Sequence, residues 1–168
     1  MPTLFIDADA CPVTREAIDC ARKAHIPCVI AGDSGHNLMR HVRSGDPTSP
    51  REGFWVDVLS VPQGPDAADF AIVSELEPGD VVVTQDFGLA SMALGRNAHA
   101  IGVRGQVYDK RTIDALLMVR HAEKEARRNP RRRTSPKGGP SAFTAQDRKH
   151  FSRNLWSLLE ECRLRETI

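Results

Sequence analysis

The order of apolar and polar positions divides the chain into two patterns. Through the first two thirds, short β-branched runs alternate with stretches of helical spacing. Thr3–Asp7 (TLFID) is an apolar run closed by an acid, which predicts a buried strand. Pro12–Ala24 reads as a helix with proline near its start, and Pro27–Ala31 as a second strand. A long Gly/Ser/Asp/Pro-containing connection follows, with a short helix expected around Asn37–Val42. Phe54–Val61 gives a third strand, Asp66–Leu76 a helix, Asp80–Thr84 a fourth strand, Phe87–Arg96 a helix and Ala98–Val103 a fifth strand. Such alternation predicts right-handed βαβ crossovers and an α/β fold with a mainly parallel central sheet.

After Asp109 the pattern is helical only. Thr112–Arg127 carries Ile113, Leu116, Leu117 and Arg120 at helical spacing, and Asn129–Gly139 is a breaker-rich basic loop. Thr144–Arg163 is a last helix whose apolar stripe is read as Phe151, Leu155, Trp156, Leu158 and Leu159. Thr144 and Asp147 have the spacing of a capping box, with Asp replacing the usual Glu or Gln. The expected organisation is one domain over 1–168: an α/β core at 1–108, and a basic helical extension at 109–168 packed on it.

Composition narrows the classes. The 168 residues suit a single domain, and 40% hydrophobic with 27% charged residues describes an ordinary folded globule. No apolar run approaches the roughly 18 residues of a membrane span, so no membrane partner is expected. MPTLFIDADACPV has no basic leader, and Cys11, Cys20, Cys28 and Cys162 form no CxxC pair; both features point to a cytoplasmic protein with reduced thiols. The net charge of +1 conceals an asymmetry. Through Val119 there are 10 Lys+Arg against 16 Asp+Glu, and from Arg120 onward 13 against 6. An acidic site beside a basic, polyanion-binding surface would produce that division, as would two solvated faces of opposite sign.

Ligand sites in open α/β sheets lie outside the carboxyl ends of the strands. Asp7 and Asp9 end the first strand, Asp86 follows the fourth, and Asp66 and Asp69 open the helix leading into it. Carboxylates gathered there repel by roughly 1–4 kcal/mol per close pair, so the cluster calls for a hard divalent cation such as Mg²⁺ or Mn²⁺. Each acid also has a plainer role. Asp9, Asp66 and Asp86 could cap helices, whereas Asp69 lies in an apolar segment where a lone charge is costly.

Other chemistry is thinner. Cys11 precedes a helix whose dipole could lower its pKa, but no histidine is placed to serve as its base, so a structural or metal-adjacent role is the plainer reading. Ser34, His36 and Asn37 follow the second strand's carboxyl end, where they could reach the site or belong to an ordinary surface loop. The histidines show no HxxxH spacing, which disfavours zinc, and neither GxGxxG nor a P-loop is present. Arg127, Arg128, Arg131, Arg132, Arg133 and Lys137 form a cluster able to contact several phosphates, or a solvated or disordered loop. Arg104, Arg120 and Arg148 are scattered cations suited to phosphate contacts or to structural ion pairs. No aromatic interleaves with the arginines, so base stacking is not indicated. Asp7-Ala-Asp9 also fits a haloacid-dehalogenase-like phosphatase with Asp7 as nucleophile and Thr84 and Asp86 supplying part of the rest, but no lysine lies between Lys23 and Lys110.

FIDADACPV, GPDAADFAIV, DVVVTQDFGLA, RGQVYD and GGPSAFTAQDRKHFSRNL together resemble the YaiI/YqxD family of bacterial proteins, itself similar to the PIN-like nuclease superfamily. The resemblance implies a PIN-like three-layer α/β/α sandwich with a divalent-metal site at the sheet's carboxyl edge. It matches Asp7, Asp69 (less well Asp66) and Asp86 to the acids of PIN nucleases, gives Asp9 no certain counterpart, and offers only Asp109 as a further acid. The leading expectation is a Mg²⁺- or Mn²⁺-dependent nuclease acting on RNA or another nucleic acid. Asp7, Asp69 and Asp86 would be catalytic, Asp9 and Asp66 would help to hold metal, and Arg104, Arg120, Arg131, Arg132, Arg133, Lys137 and Arg148 would contact the backbone. The alternatives are a non-catalytic nucleic-acid-binding module and the phosphatase.

Overall fold

A computed structural model describes residues 1–9, 11–33, 37–42, 53–64, 66–128 and 141–167. Its elements run β1 (Leu4–Asp7), α1 (Thr14–Ala24), β2 (Cys28–Asp33), a 3₁₀ turn (Leu38–His41), β3 (Val56–Val61), α2 (Ala67–Glu75), β4 (Val81–Val83), α3 (Phe87–Gly95), β5 (His99–Ile101), β6 (Val107–Tyr108), α4 (Lys110–Arg128) and α5 (Ala145–Glu166). The sheet order is β3-β2-β1-β4-β5-β6, parallel throughout except for the β5–β6 pair.

Alternation along the strands builds the two halves of the core. Side chains of a strand project to opposite faces in turn, and the register sets Leu4 level with Cys28 and Val81 and Ile6 level with Ile30 and Val83. These residues and Ile101 pack with α1 and α5. Phe5, Ala31, Val82 and Ala100 face the other way, onto α2, α3 and Ile113 of α4. The result is a three-layer α/β/α sandwich, as expected. Each large apolar side chain so buried contributes roughly 1.5–3 kcal/mol.

The C-terminal helix belongs to this core. Phe151, Leu155 and Leu159 are fully buried, and the capping box forms: Thr144 N–H donates to the Asp147 carboxylate at 2.9 Å, and Asp147 N–H donates to Thr144 Oγ at 3.2 Å. Trp156 does not join the stripe and is 38% exposed, while Cys162 does join it. At 100° per residue Trp156 points well away from Phe151, and Cys162 returns beside it. Gly105, at φ 91, allows the close approach of α5: a Cβ there would lie 2.9 Å from the His150 backbone. Asn154 Nδ2 donates to the Gly105 carbonyl at 2.6 Å.

The strand expected over Ala98–Val103 is shorter, because the chain reverses at Gly102–Gly105 and returns as β6, whose two residues carry no periodicity to read. The basic loop from Asn129 to Gly139 lies outside the described residues. Among the described residues no helix is long and apolar enough to cross a membrane.

Candidate functional site

Alternation that puts Phe5 toward α2 and α3 puts Asp7 there too. Asp7 is 6% exposed. Its Oδ2 accepts the Thr84 hydroxyl at 2.9 Å, and its Oδ1 accepts Asp9 N–H at 3.3 Å. Thr84, 1% exposed at the end of β4, also accepts Asp86 N–H at 3.0 Å. One buried hydroxyl therefore fixes both strand-end acids. Burial pushes the Asp7 carboxyl above its ordinary value, the Thr84 and Asp9 hydrogen bonds partly oppose that, and the charges of Asp9 and Asp86 add to it.

Asp86 is the N-cap of α3, its Oδ1 accepting Gly88 N–H at 2.7 Å and Leu89 N–H at 3.4 Å. A Cβ on Gly88 would stand 3.1 Å from that oxygen, so glycine lets the carboxylate fold over the helix start. The capping role therefore holds, and it aims the carboxylate into the cleft instead of removing it. Asp66 differs. It occupies the N-cap position of α2 at φ 63 and makes no capping bond with its side chain. Aspartate tolerates this left-handed backbone better than most residues.

Asp69, in the first turn of α2, is 9% exposed. Burial, then the charges of Asp86 and Asp7, a hydrogen bond with Asp86 and the charge of Asp66 raise its carboxyl to about 7. Carboxylate oxygens of Asp66, Asp69 and Asp86 lie within 4.8 Å of one another. The five acids singled out in the sequence all line one cleft of about 370 Å³, together with Gln85, Phe87 and Arg120. Arg120 Nη1 stands 3.9 Å from Asp86 Oδ1.

The remaining candidates lie elsewhere. Arg104 pairs with Asp147 at 2.9 Å and bonds the Ser141 carbonyl, and Arg148 bonds Glu16 at 3.0 Å and the Pro12 carbonyl at 2.6 Å. Both guanidinium groups lie over Phe143, so the ion-pair role open to them is formed. Asp109 caps α4 through Arg111 and Thr112 N–H, and those bonds, Thr112 first, hold its carboxyl below the ordinary range. Cys11 lines a separate recess with Arg15 and Phe54, and burial pushes its thiol up, opposite to the lowering a helix dipole would give. Asn37 is exposed ahead of the 3₁₀ turn and is not among the residues lining the acid cleft. Ser34, His36, Arg131, Arg132, Arg133 and Lys137 lie outside the described residues.

The match to known sequences covers the same elements. The family model described as "Uncharacterized BCR, YaiI/YqxD family" matches residues 5–161, from β1 into α5. The chain belongs to this family. Similar proteins include a "UPF0178 protein" of Alkaliphilus oremlandii, 36% identical over 94% of this chain and 91% of its own. A second, from Clostridium acetobutylicum, is 39% identical over 79% of this chain and 86% of its own. A third, from Exiguobacterium sibiricum, is 39% identical over 90% and 95%. No solved structure matches the chain. That description names no activity.

Proposed function

We propose that the chain is a divalent-metal-dependent nuclease that hydrolyses phosphodiesters of nucleic acid, with RNA as the first substrate to test. The observation that carries this is the convergence of Asp66, Asp69 and Asp86 oxygens within 4.8 Å, beside buried Asp7 in the same cleft. The donor set fits Mg²⁺ or Mn²⁺. Every convergent donor is a hard carboxylate oxygen, and burial, followed by the charges of Asp86 and Asp7, raises the Asp69 carboxyl; a divalent cation would relieve that repulsion between the acids. Asp66, Asp69 and Asp86 would hold the ion, with Asp7 and Asp9 at its side. When bound, such an ion supplies charge neutralisation and Lewis-acid polarisation of the phosphodiester.

The chain's own groups do the rest. Thr84 orients Asp7 and holds the Asp86 backbone, so the acids do not have to reorganise. Arg120 offers a guanidinium at the rim, where a phosphate would enter. The basic segment with Arg131, Arg132, Arg133 and Lys137 would add salt-sensitive grip on the backbone. The preference for RNA rests on the resemblance to PIN-like nucleases. A phosphatase using Asp7 is disfavoured, because the cation lining the acid cleft among the described residues is Arg120, not a lysine.

Calorimetric titration of Mn²⁺ into wild type and Asp86→Asn tests the reading. Asparagine caps a helix as well as aspartate does, so α3 should survive the change. Wild type should bind Mn²⁺ and cleave RNA, and Asp86→Asn should lose both. Cleavage that persists in the variant, in protein free of contaminating nuclease, would defeat the proposal.

A further inference from the structure

Helix α4 changes chemistry along a single stripe. Ile113 is buried against α3, and Leu117, one turn later, is half-buried on the same core. Continuing at helical spacing, that stripe becomes Arg120, Lys124 and Arg127, all exposed. The face that packs inward at the helix start is thus cationic where the helix runs past the core. These three side chains line a groove of about 660 Å³ with Asp86, Gly88, Leu117, His121 and Glu123. Asp86 and Arg120 also line the acid cleft, so the two depressions meet there. Among the described residues, neither Lys124 nor Arg127 has an ion-pair partner, whereas His121 faces Glu125 at 3.9 Å.

We infer that the Arg120–Lys124–Arg127 ridge is a backbone track for single-stranded nucleic acid, leading the strand along α4 into the acid cleft. The three cations cover about 10 Å of helix axis, enough to follow consecutive phosphates in one line. A single strand suits the destination. Asp7 and Asp69, 6% and 9% exposed, lie at the bottom of the cleft. A flexible strand can bend down to them, while a duplex, stiff over such lengths, presents its phosphates on a rigid convex surface. The track rests on the nuclease reading for where the strand goes, but its binding needs no metal.

The test is fluorescence anisotropy of a labelled oligouridylate about 12 nucleotides long, with the full chain in EDTA, over about 50 to 200 mM salt. Wild type should bind, and bind better than to a duplex of equal length. Lys124→Ala/Arg127→Ala should weaken binding about tenfold at the low-salt end and reduce the slope of log affinity against log salt by about 1.4, two single-strand phosphate contacts. Lys110→Ala/Arg111→Ala removes the same charge from the far end of α4 and should leave binding within about twofold if the ridge, not net charge, is what binds. Equal loss in both variants, no loss in the ridge variant, no binding by wild type, or preference for the duplex would each overturn the track. Because metal is absent, these outcomes stand apart from the Mn²⁺ titration. A ridge that binds in a chain that takes up no metal would sink the nuclease and keep the track.

Discussion

The two edges of the sheet bury the same residue type and use it oppositely. At the amino edge, Asp80 is 5% exposed and accepts Thr3 N–H and Glu77 N–H, both at 2.8 Å. Burial raises its carboxyl, while those two donors pull it back. At the carboxyl edge, Asp69 is 9% exposed, and the groups that shift it after burial are Asp86, Asp7 and Asp66, all of which raise it. Asp80 is a structural acid with its own donors. Asp69 stands among acids, an arrangement a folded chain keeps at a cost in stability, and such sites concentrate where chemistry is done.

Substitution should separate the two edges most sharply. Asp80→Ala leaves two backbone N–H groups short of their acceptor, at about 1–3 kcal/mol each when buried, so a loss of about 2–6 kcal/mol is expected in urea unfolding. Asp69→Asn removes a like-charge conflict of nearly the same shape and should leave stability unchanged or raised at pH 8. If Asp69→Asn destabilised as much as Asp80→Ala, the carboxyl-edge acid would be structural too and the contrast would fail.

The pH dependence gives the next largest effect. An unfolded aspartate titrates near 3.9, and folded Asp69 near 7. Between those values the native chain holds a proton that the unfolded chain has released, so this group's contribution to stability falls as pH rises from about 4 to about 7 and is level above that. Asp69→Asn should flatten that decline. Unfolding midpoints for both proteins across this range decide it, and parallel profiles would mean that Asp69 ionises normally.

What the sequence reveals of this contrast follows from how local each feature is. The strand-end acids are legible because an acid closing an apolar run lies at the carboxyl edge whatever else the fold does. The capping box of α5 is equally local. The role of Thr84 is not, because it depends on β1 lying beside β4 with Ile6 level with Val83, which brings the next residues, Asp7 and Thr84, abreast. Arg120 is similar. Its spacing with Ile113 and Leu117 is visible, but its position over the cleft requires the path of α4. Trp156 is the converse case: its apolar ring suggests a place in the stripe, whereas the helical angle sets it off the buried face. The Asp147 and Glu16 carboxylates and the Ser141 and Pro12 carbonyls that hold Arg104 and Arg148 come together only through the tertiary fold, which leaves no local pattern to read.

The smallest effect sharpens the carboxyl edge itself. Arg120 is 61% exposed and 3.9 Å from Asp86, and exposed pairs contribute about 0–1 kcal/mol. Arg120→Ala should therefore shift unfolding by less than about 1 kcal/mol. Its electrostatic consequences have opposite signs for the two ligands. Loss of a positive charge beside the acids deepens their negative potential, so Mn²⁺ should bind about two- to fivefold more tightly, a gain of less than about 1 kcal/mol. The same loss removes a phosphate contact, so the oligouridylate should bind more weakly in EDTA. Opposite shifts in one variant would identify Arg120 as the point where the acid cleft and the cationic ridge meet. Weakening of both ligands would instead mean that Arg120 holds the cleft in shape, making that edge partly structural, as Asp80 makes the other.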